Sequence, residues 1–348
     1  MFKIETDEAI YELEFIHAQV NITSRCNMKC EHCRGAYGGS VDMLVDVFEN
    51  LVRFSQQHLG EGGGYLISGG EPLLHPRFRD FLSLLRKYAY KNEFISVTTN
   101  GYFLTDEILD FLQSLGFTDL RVSVSLDSSI PERHDSFRHC VNAYKKAIKA
   151  IELISKRDKI KSIVRTTITK SQLAEVEAIA DLVESLGADI LSLSSIIPVG
   201  RAYKKTELYF DKKTKKELIE LASALNKKNR HLVVDVNDPL AYVKGACTGG
   251  SGEYGGCIAG IGGFSVEPNG LMFPCPVLPN QVIMNINGME PEQMLKAYSS
   301  SPYVHSLIGR KLSGKCGNCE LRFSCGGCRA RAEGMTGDYL GEDTDCWL

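Results

Sequence analysis

Between residues 41 and 196 the chain alternates between two apolar periods. Short apolar runs at 64–68, 94–98, 120–126, 160–168 and 190–194 read as strands. Residues 41–59, 78–90, 106–115, 141–156 and 173–186 carry apolar side chains at helical spacing, with Thr105 and Ser171 placed as N-caps. An earlier apolar stretch, residues 15–23, reads as a first strand, which makes about six βα units. Strands alternating with helices through short connections build an α/β domain with a parallel sheet. A barrel of about six units stays open on one side, where a large substrate can enter.

Beyond residue 200 the pattern changes. Residues 204–228 are rich in lysine and predict a solvated helix face, with phosphate binding as the weaker alternative. A short strand follows at 231–236, then a glycine-rich stretch at 245–263, so a domain boundary falls near residue 240. Residues 264–267 and 271–273 flank Pro268-Asn269-Gly270, a hairpin whose glycine stands where φ must be positive. The expected division is an N-terminal extension over 1–14, a barrel over 15–200, a linking helix and strand segment over 201–246 and a cysteine-rich unit over 247–348.

A length of 348 residues allows two or three domains. A net charge of −3 with 24% charged and 43% hydrophobic residues describes a soluble globular protein. No basic run points to nucleic acid, and no apolar run reaches the roughly eighteen residues of a membrane span. The acidic start lacks the cationic and apolar blocks of a secretory signal, so the cytoplasm is the expected location.

Twelve cysteines in a cytoplasmic chain call for something other than disulfides. Ten of them fall between Cys26 and Cys33 or between Cys257 and Cys346, the clustering that metal sites produce. Cys140 and Cys247 stand apart, and Cys140 by default is a small buried hydrophobe. Cys26, Cys30 and Cys33 lie on one loop after the first strand. Three thiolates there can converge on a [4Fe–4S] cube, which leaves one iron open to a ligand that is not protein. Spacing alone leaves a structural zinc knuckle and a disulfide loop open as well.

Cys26-x3-Cys30-x2-Cys33 resembles the signature of the radical S-adenosylmethionine (SAM) enzymes, with His32 where that family usually has an aromatic residue. The resemblance implies a partial (β/α)6 barrel and an open iron chelated by the methionine amine and carboxylate of S-adenosylmethionine. It also implies reductive cleavage to a 5′-deoxyadenosyl radical that abstracts a substrate hydrogen. Ser68-Gly69-Gly70-Glu71-Pro72 resembles the family's Gly-Gly-Glu-Pro motif, which serves the methionine amine. Two glycines allow close backbone approach to a ligand; taken alone, the motif is equally a turn between strand and helix. At further strand ends, Asn100, Ser125 and Asp127 are placed near the ribose, Arg165 can pair with the methionine carboxylate through its planar fork, and residues 194–201 border the adenine.

The carboxyl third resembles the SPASM extension of that family, which carries auxiliary clusters. By matching positions, Cys316, Cys319, Cys325 and Cys346 hold one cluster, and Cys257, Cys275 and Cys328 another, with Cys247 or substrate as its fourth ligand. The family pattern has three residues before the fourth cysteine of the middle group, where this chain has only Gly326 and Gly327. The implied cofactors are S-adenosylmethionine and three [4Fe–4S] clusters, one SAM-binding and two auxiliary. The implied partners are a reductant such as flavodoxin or ferredoxin and a substrate.

Members of this architecture modify ribosomally made peptides or proteins by crosslinking, thioether formation, epimerisation or oxidation, and others act on tetrapyrroles. The peptide reading is the expected one. Only some twenty residues precede Cys26, too few for a fused recognition domain, so a peptide would bind directly or through a separate protein. A radical enzyme of haem biosynthesis is the alternative. A non-catalytic iron–sulfur electron carrier is disfavoured because it has no need of Gly69-Gly70-Glu71-Pro72.

Overall fold

The computed structural model describes residues 1–90, 93–228, 231–245 and 256–348. A hairpin of β1 (Phe2–Glu5) and β2 (Ile10–Leu13) precedes β3 (Phe15–Thr23). There follow α1 (Val45–Gln56), β4 (Leu59–Gly69), α2 (Phe78–Tyr88), β5 (Phe94–Thr99), α3 (Asp106–Ser114), β6 (Asp119–Ser125), α4 (Pro131–Arg138) and α5 (Ala143–Ser155). Next come β7 (Lys161–Ile168), α6 (Val176–Ser185), β8 (Ile190–Ser195), α7 (Lys212–Asn226), β9 (Val233–Val236) and α8 (Pro239–Val243). The carboxyl-terminal part holds β10 (Gly263–Val266), β11 (Leu271–Phe273), β12 (Met284–Asn285), α9 (Pro291–Ser299), α10 (Pro302–Ile308), α11 (Gly314–Gly317) and α12 (Arg329–Thr336).

One sheet orders the strands β12-β11-β10-β3-β4-β5-β6-β7-β8-β9 and is parallel from β10 to β9. The α/β class and the parallel sheet agree with the alternation in the sequence. Period 2 gives each strand two faces. Tyr65 of β4 meets Ser55 of α1 at 2.9 Å, so the face carrying Tyr65, Ile67, Val97, Val122 and Val124 packs on the helices. The other, inner face carries Ser96, Ser123, Ser125 and Arg165. Apolar residues hold the fold from outside, leaving the inner face free for polar chemistry.

The sheet exceeds the expected six strands at both edges. The strand expected at 231–236 joins as β9 beside β8, whereas β10 pairs in parallel with β3 across Gly263↔His17 to Val266↔Val20. The cysteine-rich part therefore extends the barrel sheet. Phe15 of β3 packs edge-on against Phe264 at 4.9 Å and Tyr298 at 5.2 Å, and each such fully buried ring contributes on the order of 2 kcal/mol. The hairpin turn forms as read: Gly270 has φ +84° and its amide donates to the Glu267 carbonyl at 2.9 Å.

Several local expectations need correction. The helix expected over 41–59 is shorter, because Asp42 bridges to Thr23 and residues from Leu59 onward already pair with β3. Thr105 caps α3 as expected, but Ser171 caps nothing. Thr169 and Gln172 form a reciprocal capping box on a 3₁₀ turn, Lys170–Glu175, and α6 begins only at Val176. Residues 1–14 form a hairpin whose Phe2 and Ile4 are buried in the core. In the lysine-rich segment, Lys213 and Lys216 pair with Glu217 and Glu220 on an exposed face. Lys215 turns inward instead, buried between Asp238 at 3.2 Å and Asp343 at 3.1 Å. Among the described residues no helix is long and apolar enough to cross a membrane.

Candidate functional site

The three-cysteine loop leaves β3 at the carboxyl ends of the parallel strands, where ligands of such sheets bind. The next strand end clamps it. The Gly70 amide donates to the Thr23 carbonyl at 2.8 Å, and the Glu71 amide to the Arg25 carbonyl at 2.7 Å. Gly69 has φ +140°, and a methyl group on either glycine would collide with the backbone of Thr23 or Arg25. The glycines are thus needed for strand β4 to touch the cysteine loop. The Glu71 side chain is fully buried and accepts from the Thr99 hydroxyl at 2.7 Å, the Asn100 amide at 2.7 Å and the Leu73 amide at 3.2 Å. Burial outweighs those three donors and raises its pKa to about 7. Pro72 opens the 3₁₀ turn that Glu71 caps. Asn100 donates to Asn27 Oδ1 at 2.8 Å, tying the end of β5 to the same loop.

On its other flank the loop is held by the end of α4. The Lys29 amide donates to the Arg138 carbonyl at 3.3 Å and the Glu31 amide to the Phe137 carbonyl at 3.0 Å. His32 stacks on Phe137 with centroids 4.7 Å apart and 21° between planes, and burial lowers its pKa to about 4, which favours the uncharged ring. Cys140 is half-buried beside Met28, Cys30 and Ala143, close to the loop. Asp127, expected near a ribose, has partners within the chain. It is fully buried, one oxygen taken by Arg138 at 2.8 Å and the other by the Thr167 amide at 3.0 Å. Its carboxylate therefore serves Arg138, the last residue of α4, which the sequence had not singled out.

Ser125 and Arg165 are register partners, and Ser192 lies beside Arg165 on the next strand. Arg165 faces inward, because its neighbours Val164 and Thr166 are buried on the helix side. Burial and then the charge of Arg34 lower its pKa, and Arg165 in turn, after burial, keeps His17 near 4. Arg165 has no carboxylate partner among the described residues, so this part of the inner face favours an anion.

The carboxyl-terminal thiols form two groups. Cys316, Cys319, Cys325 and Cys346 line one cavity with Leu240 and Asp343. Cys257, Cys275 and Cys328 surround a second apolar cluster of Ala259, Leu278, Leu307 and Ala330. Cys247 lies outside the described residues. The groups adjoin, since the Cys257 amide donates to the Cys325 carbonyl at 2.9 Å. Burial pushes Cys26, Cys275 and Cys325 up to about 12 and Cys328 up to about 11. Thiolates there need a neutralising cation, which a bound metal would supply.

The surroundings suit an anionic metal–thiolate group. Backbone amides point at sulfur from Met28 to Cys26, Gly327 to Cys325 and Asp343 to Cys316, each at 3.4 Å. Arg329 and Arg310 are fully buried, Arg329 is 3.7 Å from Cys316 Sγ, and Arg310 keeps two nitrogens without a partner. Buried cations of this kind require anions nearby. Among the described residues no three His, Cys, Asp or Glu side chains converge as on a single ion. The grouping thus stands on shared walls.

The family profile of the radical SAM superfamily matches residues 20–188. The AdoMet-dependent heme synthase of Methanosarcina barkeri is 30% identical over 338 residues, covering 93% of this chain and 94% of that protein. The subtilosin biosynthesis protein AlbA of Bacillus subtilis is 26% identical over 324 residues, covering 90% of this chain and 67% of that one. Among solved structures, Streptococcus suis SuiB bound to its precursor peptide SuiA superposes with a TM-score of 0.77 at 18% identity, covering 96% of this chain and 76% of SuiB.

Proposed function

The chain belongs to the radical SAM superfamily, and from that premise we propose that it abstracts a hydrogen atom from a peptide or protein substrate and so modifies it. The observation that carries the reading is the clamp of Gly69-Gly70-Glu71 on a three-thiol loop, which leaves one position of a four-iron cluster for S-adenosylmethionine. When bound, the cluster and S-adenosylmethionine supply the 5′-deoxyadenosyl radical chemistry, and the protein supplies binding, orientation and exclusion.

In this reading Cys26, Cys30 and Cys33 hold the SAM-binding cluster. The strand-end backbone at Gly69, Gly70 and Glu71 receives the methionine amine, with Pro72 setting the turn. Ser125 and Asn100 face the ribose, and the inward cation of Arg165 holds the carboxylate. Cys316, Cys319, Cys325 and Cys346 hold one auxiliary cluster, and Cys257, Cys275 and Cys328 the other. A peptide suits the laterally open sheet, and AlbA, named for bacteriocin biosynthesis, lends support. On the lysine-rich helix Lys213 and Lys216 are paired with Glu217 and Glu220, which reduces the free charge it offers to a carboxylate-bearing substrate.

A second reading, a tetrapyrrole substrate, is favoured by the 30% identity to a heme synthase over 93% of this chain. One experiment separates the two. Anaerobically reconstituted protein carries about twelve irons, and with dithionite and S-adenosylmethionine it releases 5′-deoxyadenosine, which the Cys26, Cys30 and Cys33 triple alanine variant does not. A mass change on a gene-neighbour peptide supports the first reading. Turnover of an iron-porphyrin with no peptide product overturns it.

A further inference from the structure

Arg34 directly follows Cys33, and its guanidinium reaches the strands that carry the second thiol set. One nitrogen donates to the Glu267 carboxylate at 2.9 Å and to the Pro276 carbonyl at 2.8 Å, and another donates to Asn21 Oδ1 at 2.8 Å. Pro276 is the chain neighbour of Cys275. A peptide bond, one arginine side chain, one hydrogen bond and a second peptide bond therefore join a thiol of the first set to a thiol of the second.

Glu267 anchors the far side. Its carboxylate accepts from Arg34, from Asn21 Nδ2 at 2.9 Å and from the Tyr37 hydroxyl at 2.7 Å. It leaves the hairpin strand β10 at the turn and reaches back over more than two hundred residues to the segment around the first thiols. The Arg34 and Glu267 side chains are each only 20% exposed, so the pair escapes most solvent screening. On the opposite side the Arg201 amide donates to the Cys33 carbonyl at 3.0 Å, and Gly200 lies too close to the Cys33 and Arg34 carbonyls to carry a side chain. The turn from Cys33 to Tyr37 is thus gripped from both sides, with the arginine fork on the auxiliary side.

We propose that Arg34 is a positioning residue that couples the two thiol sets. It keys the hairpin of Cys257 and Cys275 to the first loop and places one positive charge between the groups bound at both. The inference rests on the reading that both sets hold iron–sulfur clusters. A nearby cation stabilises the more negative, reduced form of such a group, and a nearby carboxylate opposes it. Arg34 follows Cys33 in the chain and donates to the Pro276 carbonyl one residue from Cys275, so its charge lies near both thiols. The planar fork serves Glu267, Pro276 and Asn21 together, which the point charge of a lysine cannot do.

The test is a redox titration of reconstituted holoprotein followed by electron paramagnetic resonance, with iron counted for each variant. Wild type is measured first, and iron for the first set alone would sink the cluster reading itself rather than the role of Arg34. In Arg34→Met the reduction equilibrium of the near auxiliary group shifts about tenfold toward the oxidised form, ~59 mV for one electron. Glu267→Gln moves it the opposite way, and Arg34→Lys restores the charge and most of the potential. Full iron with unmoved potentials in both Arg34→Met and Glu267→Gln overturns the proposal. Iron loss confined to the second set in either variant supports it, since neither residue is a thiol ligand. Loss from every set together with a lowered melting temperature overturns it in favour of a merely structural role.

Discussion

Arg138 donates to Asp127 at 2.8 Å through two of its nitrogens, with the Asp127 carboxylate fully buried. The pair sits directly beneath the cysteine loop, because the Arg138 carbonyl accepts from the Lys29 amide and its charge is felt by Cys30.

Asp127→Asn leaves that guanidinium buried without its anion, and breaking a buried pair costs about 3 to 5 kcal/mol. Urea unfolding is expected to show a loss of that order, with iron lost first from the loop of Cys26, Cys30 and Cys33. Burial pushes the Asp127 carboxyl up, but Arg138, His32, His134 and the Thr167 amide together pull it below its ordinary value. Its contribution is therefore complete above about pH 4 and fades as pH falls through the depressed folded value. An Asp127→Asn protein with wild-type stability and iron would dismiss the pair as unimportant.

Glu71 behaves in the opposite sense. Its pKa is raised to about 7 by burial, so the folded chain binds a proton that the unfolded chain has already released. The stability it contributes is fully present below about pH 4.3, the unfolded value, and is lost as pH rises to the folded value near 7. Melting temperatures of cluster-free protein are expected to decline across that window, and the slope to flatten in Glu71→Gln. An unchanged slope in the variant would assign the titration to another group.

Lys215 separates the two faces of α7. Lys215→Met strips Asp238 and Asp343 of a buried partner and is expected to cost about 3 kcal/mol in denaturant unfolding. The paired surface change Lys213→Ala with Lys216→Ala is expected to cost less than about 1 kcal/mol. Because Asp343 also accepts from the Cys328 amide at 2.9 Å, Lys215→Met should lose auxiliary iron while the first set keeps its own. Equal stability of the two variants would contradict the inward placement of Lys215.

Much of this architecture was legible along the chain. The first strand over 15–23 and the cap at Thr105 matched because both are local: a period of two and a side-chain oxygen facing an amide three residues on. Ser171 misled for the same local reason, since Thr169 two residues earlier offers an equivalent hydroxyl and has Gln172 at the reciprocal position. Asp127 was legible only in part. Its place at a strand end was right, but which polar group would occupy its oxygens depended on Arg138, brought in by the fold.

By itself the sequence determined the strand and helix faces, the cysteine spacing and the glycines at the strand end, because apolar periodicity and positive-φ requirements are written residue by residue. Only the tertiary structure decided that β10 extends the barrel sheet beside β3, that Lys215 points inward, and that Arg34 meets Glu267. Such pairings join residues far apart in the chain, 128 positions for Lys215 and Asp343 and 233 for Arg34 and Glu267, and their energy depends on the burial and register that folding creates. A polar side chain reads the same in sequence whether water or a buried partner satisfies it, so its role becomes definite only when the surrounding chain removes the water.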